Sequence, residues 1–215
     1  METRMSRTKI IGFFDTLGEL IVCNVLWIAC SLPVFTIGAS TAALFSCMRG
    51  VLERKAATPK LFFAEFRRCF KPATGAWLLL LALFALVAAN VYLLPALEAR
   101  PRSVLMAFLG VLALVLLLWG AHIFPLITKN QPAGQSGAGL IKLTTTAFAL
   151  GIRYLPLTIS AVFVQVLPIV LFIAFPNLFL YACAVYAVFG IALTSLYQGY
   201  IVERIWAKAR IFSGS

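Results

Sequence analysis

The residues SLPVFTIGASTAALFSCMRG, Ser31–Gly50, determine how often the chain enters the membrane near its start. They close a longer segment, Leu20–Met48, that carries no charged residue. As a helix at about 1.5 Å per residue, this segment exceeds the roughly 30 Å hydrocarbon core of a bilayer but is too short for two full crossings. Pro33 disfavours helix at the residue before it, and Gly38 relieves backbone strain. We therefore predict a turn over residues 32–38, so that the chain doubles back.

The composition indicates a membrane protein, since 62% of the 215 residues are hydrophobic and 12% are charged. Three further runs lack Asp, Glu, Lys and Arg, namely Pro72–Leu97, Ser103–Thr128 and Tyr154–Val202, and the last is long enough for two crossings. We predict an all-α polytopic membrane protein, a single integral membrane domain over residues 1–215. Its six transmembrane helices are expected at about residues 12–32, 37–52, 73–96, 103–126, 155–175 and 178–202.

The net charge of +11 is explained by topology, because the Lys and Arg residues lie in short segments between apolar runs. With a double pass at the start, 16 of the 18 basic residues share one side, and only Arg100 and Arg102 lie opposite. A single pass would divide them 13 to 5. Since Lys and Arg accumulate on the cytoplasmic side, both termini are predicted to be cytoplasmic, and no nucleic-acid partner is expected.

The second crossing, about residues 37–52, is short for a bilayer. A full crossing and a re-entrant helix that dips in and returns both place its flanks on one side, so the charge distribution leaves both open. Small residues at four-residue spacing predict close helix packing, within the chain or between protomers. They are Gly38, Ala39, Ala42 and Ala43.

An amphipathic helix is predicted over about residues 59–71, with Thr58 as its N-cap, Pro59 at its first position and Pro72 as its end. One face carries Phe62, Phe63, Phe66 and Phe70, and the other carries Arg67, Arg68 and Lys71. Either the phenylalanines enter the acyl region with the cations toward anionic lipid headgroups at the cytoplasmic face, or they pack on the protein's own helices. A second such stretch is predicted over about residues 140–156.

Polar residues inside apolar runs are the remaining leads, because lipid offers them no hydrogen bonds. Asn24 and Gln165 are candidate intramembrane contacts, either joining helices or lining a solute cavity. Asp15 and Glu19 lie one helical turn apart, and we expect them to pair with basic residues such as Arg49, the alternative being a cation or proton entry.

His122 is expected either at the interface or bonded to a neighbouring carbonyl, the alternative being a proton-linked role. With one histidine, one aspartate and no phosphate loop, HExxH, GxSxG or metal-ligand spacing, the sequence predicts no enzyme and no cofactor or metal site.

The block FFDTLGELIVCNVLWIACSLPVFTIGASTAALF, Phe13–Phe45, resembles the N-terminal signature of the YesL-like proteins, and FFAEFRRCFKP and IRYLP resemble the family more loosely. The YesL-like proteins are bacterial integral membrane proteins, classed as a domain of unknown function, and we expect this chain to be a multi-pass protein of the bacterial cytoplasmic membrane. The resemblance implies an accessory or regulatory part in carbohydrate uptake, with sugar importer or sensor subunits as partners. It implies no catalytic or ligand residue. The alternative from the residues is a small oligomeric solute or ion transporter or channel.

Overall fold

The computed structural model describes the backbone of residues 2–94, 99–129, 138–174 and 190–212, and these residues contain helices and turns but no strand. The all-α prediction is therefore confirmed for the described part of the chain. Its helices are α1 (Glu2–Ser31), α2 (Ile37–Leu52), α3 (Pro59–Leu93), α4 (Ala99–Lys129), α5 (Ala138–Arg153), α6 (Leu155–Ala174) and α7 (Ile191–Phe212), with a short 3₁₀ helix at Val34–Thr36.

Three helical segments of the described chain are long and apolar enough to cross a membrane: Val34–Leu52, Pro59–Leu93 and Pro101–Thr128. A fourth is added if Leu143–Arg153 and Leu155–Val164, which are bent by 100° relative to each other, count as one broken span. The predicted crossing over residues 178–202 lies partly outside the described residues.

The first two helices form an antiparallel hairpin, as the predicted turn requires. The indole Nε1 of Trp27 donates to Thr41 Oγ1 across the pair at 3.2 Å. At the turn, Thr36 Oγ1 lies 2.6 Å from the carbonyl oxygens of both Cys30 and Pro33. The Thr36 hydroxyl is therefore placed to donate to carbonyl groups that have no partner within a helix where α1 ends.

Helix α2 lies at the centre of the bundle and contacts α1, α3, α4 and α7. Most of its side chains are buried, including Leu44 and Met48, which are fully enclosed. A helix surrounded on several sides needs small residues so that neighbouring backbones can approach. The alanine-rich sequence of α2 meets that need.

The prediction that Pro72 ends the amphipathic helix is wrong, because Pro72 lies inside α3. The helix starts as predicted, with Thr58 Oγ1 accepting from the Leu61 backbone N–H at 3.3 Å, but it continues without a break to Leu93. A proline inside a helix costs about 3 kcal/mol in isolation. Here Cys69 and Ala73, on either side of Pro72, are fully buried, so tertiary packing holds the helix in one direction.

The C-terminus of α2 is a Schellman motif. The backbone N–H of Lys55 donates to Gly50 O at 2.8 Å, and that of Arg54 donates to Val51 O at 3.0 Å. Arg54 has φ 58°, a conformation that glycine adopts without the steric cost of a Cβ atom.

Replacing Arg54 by glycine is therefore expected to stabilise the protein by about 0.5–1 kcal/mol, since the left-handed conformation then costs less. Unfolding of the variant in mixed micelles on titration with sodium dodecyl sulfate measures the change. Arg54→Ala is the control, because it removes the same charge but keeps the Cβ atom. If both variants shift the midpoint equally, charge rather than backbone conformation is responsible.

Helices α5 and α6 meet at Tyr154 with the 100° bend described above, so the predicted second amphipathic stretch becomes a separate helix. It packs on α4, where the rings of Trp119 and Phe148 are stacked with centroids 6.1 Å apart. The other side of α5 exposes Ile141 and Ile152. This exposed apolar face suits contact with lipid.

Candidate functional site

One polar cluster joins three helices at the end of the bundle where α2 ends and α3 begins. Glu65 on α3 accepts hydrogen bonds from Ser46 Oγ of α2, at 2.8 Å, and from the guanidinium of Arg68. Arg68 also donates to the backbone carbonyl of Thr128, in the last turn of α4, at 2.8 Å. We call this end of the bundle, which also carries Arg49, the basic end.

A second polar cluster lies in the interior and joins α4, α6 and α7. His122 Nε2 lies 2.8 Å from Thr158 Oγ1, and both residues are buried. The Thr158 hydroxyl donates its one hydrogen to the Tyr154 carbonyl at 3.1 Å, so His122 is the donor to Thr158. Gln198 Nε2 donates to the Ala121 carbonyl. We call His122, Thr158 and Gln198 the interior cluster.

The interior cluster can hold helices together, because each hydrogen bond crosses from one helix to another or anchors a side chain that does so. Replacing Thr158 by valine keeps the side-chain volume but leaves the His122 donor without this acceptor. We expect a loss of about 1 kcal/mol, within the range of interhelical hydrogen bonds in membranes. The loss is measured as the shift in the unfolding midpoint in mixed micelles.

Thr194→Val is the matched control, because the Thr194 hydroxyl bonds the Ile191 carbonyl of its own helix. A combined His122→Phe and Thr158→Val variant completes a double-mutant cycle with the two single variants. Strict additivity of the two single effects would contradict a direct bond between the residues.

The predicted intramembrane polar residues lie in different places. Asn24, on α1, is fully buried. Gln165 is part of α6, but its side chain lies outside the described residues. Asp15 is exposed and Glu19 is partly exposed, while Arg49 lies 3.9 Å from Glu53, one turn along its own helix. The structure thus brings Arg49 to Glu53.

The phenylalanine face of α3 is divided between the protein and its surroundings. Phe62 is fully buried, Phe66 and Phe70 are partly buried, and Phe63 is exposed. On the other face, Arg67 and Lys71 are exposed, whereas Arg68 turns to Glu65 and α4. Phe62 therefore packs inside the protein and Phe63 does not, and the outward cations lie at the basic end.

The small residues of α2 lie where α2 meets its neighbours, and Ala39, Ala42 and Ala43 are fully buried. A Cβ atom on Gly38 would come 2.5 Å from Trp77 Cβ and closer still to the Ala73 carbonyl oxygen. Gly38 thus marks the closest approach that the glycine positions show between α2 and α3.

Sequence reasoning did not select Ser46, Glu65, Thr158 or Gln198. Thr158 and Gln198 both interrupt the run Tyr154–Val202, so a search for every polar residue in an apolar run would have found them. Their partners could not be identified in that way, because pairing depends on which helices are neighbours.

An apolar recess of about 460 Å³ opens between α2, α6 and α7. The surface that lines it is apolar, so it offers no hydrogen bonds to a hydrophilic solute. Among the residues that the structure describes, no group of three or more His, Cys, Asp or Glu side chains could hold a metal ion. The residues that line the apolar recess are Leu52, Val164, Leu193, Thr194, Leu196, Tyr197 and Tyr200.

The fold and these clusters define a helical bundle with several helices suited to a membrane. Within it, residues 20–91 match the family described as protein of unknown function, DUF624. The match covers residues 20–31 of α1, all of α2 and nearly all of α3, and so includes Gly38, Glu65 and Arg68. No curated protein and no solved structure matches the chain.

Proposed function

We propose that this chain is a YesL-like accessory or regulatory protein of the bacterial cytoplasmic membrane, without catalytic activity of its own, that takes part in carbohydrate uptake. Both termini are cytoplasmic, and the apolar segments make up to six passes into the bilayer. The link to carbohydrates depends on the resemblance of Phe13–Phe45 to the family, and the DUF624 match over residues 20–91 is compatible with that resemblance.

The main support for an accessory role is that the polar side chains of the interior cluster are hydrogen-bonded to neighbouring helices. His122 and Gln198 are buried and bonded to neighbouring helices, an arrangement that stabilises a packed bundle. A solute pathway instead needs polar groups that face a cavity. The recess described above is apolar, so it does not provide such groups.

The exposed cations of α3 offer the surface for a cytoplasmic partner. Arg67 and Lys71 project from the basic end and are not part of the Glu65–Arg68 pair. Charges at the rim of an interface affect association strongly while leaving the fold intact. These two residues therefore provide the most direct test.

Affinity purification of the tagged chain from native membranes should recover importer or sensor subunits. The double variant Arg67→Glu with Lys71→Glu should lower that recovery several-fold, because it reverses two surface charges. Arg102→Glu is the matched control, since Arg102 is exposed at the opposite end of the α3–α4 hairpin. Recovery of no such subunit, together with unchanged growth of a deletion strain on every sugar tested, would exclude the proposal.

Transport is the alternative class, in which Asn24 and Gln165 would contact a solute. Purified protein in liposomes would then move a solute or ion, and Asn24→Ala or Gln165→Ala would reduce the flux. Since Asn24 is fully enclosed by α1 and its neighbours, we expect no flux above that of empty liposomes.

A further inference from the structure

The tip of the α1–α2 hairpin, residues 32–36, carries large apolar side chains that point away from the protein. Leu32, Val34 and Phe35 are 79%, 58% and 52% exposed. Turns in water are normally built from polar residues, glycine and proline. Three neighbouring apolar side chains on a turn therefore indicate apolar surroundings.

Several backbone groups of the tip are hydrogen-bonded within the protein. The Val34 carbonyl accepts a hydrogen bond from Trp77 Nε1 of α3 at 2.8 Å. The Thr36 N–H donates to the Pro33 carbonyl at 2.9 Å, and the Thr36 hydroxyl lies 2.6 Å from that same oxygen. Irregular backbone at membrane depth is tolerated only where the protein satisfies its polar groups.

The contact with Trp77 also fixes the height of the tip along α3. Beyond Trp77, α3 continues over residues 78–93, which extend about 24 Å as a helix. The outer sides of this part of α3 and of the facing part of α4 expose apolar side chains and are suited to contact with lipid. Those exposed residues include Leu81, Leu86, Val91, Val104, Phe108 and Val111.

The length of α2 gives a second estimate of how far the tip lies from the basic end. Between Arg49 and the start of α2 at Ile37 lie twelve residues, or about 18 Å of helix, well short of a roughly 30 Å hydrocarbon core. Val34–Leu52 has the length and composition of a span, but two-thirds of it is buried inside the protein. Helix α2 therefore has the burial of a core helix, whereas α3 and α4 have that of lipid-facing spans.

We infer that the α1–α2 hairpin is re-entrant: it enters the bilayer from the basic end, places Leu32, Val34 and Phe35 among the lipid acyl chains, and returns without reaching the opposite face. The partner of this surface is the acyl-chain region itself. The inference concerns membrane insertion, and it is independent of the role in carbohydrate uptake.

Single-cysteine labelling of the full chain in proteoliposomes tests this inference. Val34→Cys is compared with Lys55→Cys at the basic end and Arg102→Cys at the opposite end, both exposed positions. The parent protein carries Cys30→Ala and Cys183→Ala, and its remaining cysteines, Cys23, Cys47 and Cys69, are buried. Labelling is scored as the increase over this parent. Each reference cysteine should react with a membrane-impermeant maleimide from one side. The Val34→Cys protein should not react from either side.

Depth is then measured with a bimane fluorophore attached to each cysteine by a membrane-permeant route. Lipids that carry a nitroxide in the acyl chain should quench bimane at position 34 several-fold more strongly than bimane at position 55 or 102. Labelling at position 34 from the same side as position 102 would show a full crossing and overturn the inference. Labelling from the basic side, or protection without quenching by the lipid nitroxide, would overturn it too, the latter by showing cover by protein.

If labelling at position 34 perturbs folding, Phe35→Cys provides a second reporter in the same exposed tip. Its labelling and quenching are expected to match those of position 34. Disagreement between two correctly folded variants, with either one accessible to the impermeant reagent, would also overturn the inference.

Discussion

Replacing Gly38 by alanine is expected to destabilise the protein by about 1–3 kcal/mol, the usual cost of overpacking a filled interior. The added Cβ atom would overlap the Ala73 carbonyl oxygen and Trp77 Cβ, so α2 and α3 would have to move apart. Such a shift also threatens the Trp77 bond to the Val34 carbonyl, which holds the hairpin tip. The unfolding midpoint in mixed micelles, and the fraction of monodisperse protein after extraction, measure the effect.

Gly75→Ala is the matched control for Gly38→Ala. Gly75 lies in α3 near the same level, but a Cβ atom there would meet nothing within 4 Å. In a helix interior this change should be stabilising by about 0.5–1 kcal/mol, because alanine has the higher helix propensity. Equal destabilisation by both variants would show that the close approach at Gly38 is not responsible.

Replacing Arg68 by methionine is expected to cost about 2 kcal/mol, in the range of hydrogen bonds that involve a charged group. The change removes the donor to the Thr128 carbonyl, which ties the end of α4 to α3, and leaves the Glu65 carboxylate without its cation. The pair with Glu65 is partly exposed and contributes little by itself, so the bond to α4 accounts for most of the effect. Unfolding in mixed micelles measures the loss.

Two further variants separate the geometry of Arg68 from its charge. Arg67→Met removes a neighbouring exposed cation and should change stability little. Arg68→Lys keeps the charge but presents a single ammonium in place of a planar fork, so it should restore only part of the stability. Equal effects of Arg67→Met and Arg68→Met would mean that net charge, rather than the bond to α4, determines stability here.

Much of the fold follows from local pattern. The turn after Ser31 was predictable because Pro33 interrupts a charge-free segment that is too long for one crossing, and the structure shows a turn over residues 32–36. The start of α3 at Pro59 was predictable because Thr58 and Pro59 form a standard N-terminal pair. Both features depend on the chemistry of a few adjacent residues.

The candidate site was less predictable. His122 was selected, and a bond to a neighbouring carbonyl was expected, but the partner is the Thr158 hydroxyl on another helix. Arg49 lies beside Glu53 of its own helix, and the expected pairing of Asp15 and Glu19 with basic residues stays a prediction. Pairings of this kind depend on helix neighbours and on helix rotation, and neither can be derived from the composition of one segment.

Local sequence pattern was enough to predict a helical protein with segments apolar enough for a membrane, and a first apolar segment that doubles back. Hydropathy and turn chemistry are properties of consecutive residues, so no tertiary information was needed. The continuation of α3 through Pro72, and the position of the hairpin tip beside Trp77, about 24 Å below the end of α3, instead depend on contacts between helices. Those outcomes depend on the register between helices, which the contact of Gly38 with Ala73 and Trp77 sets.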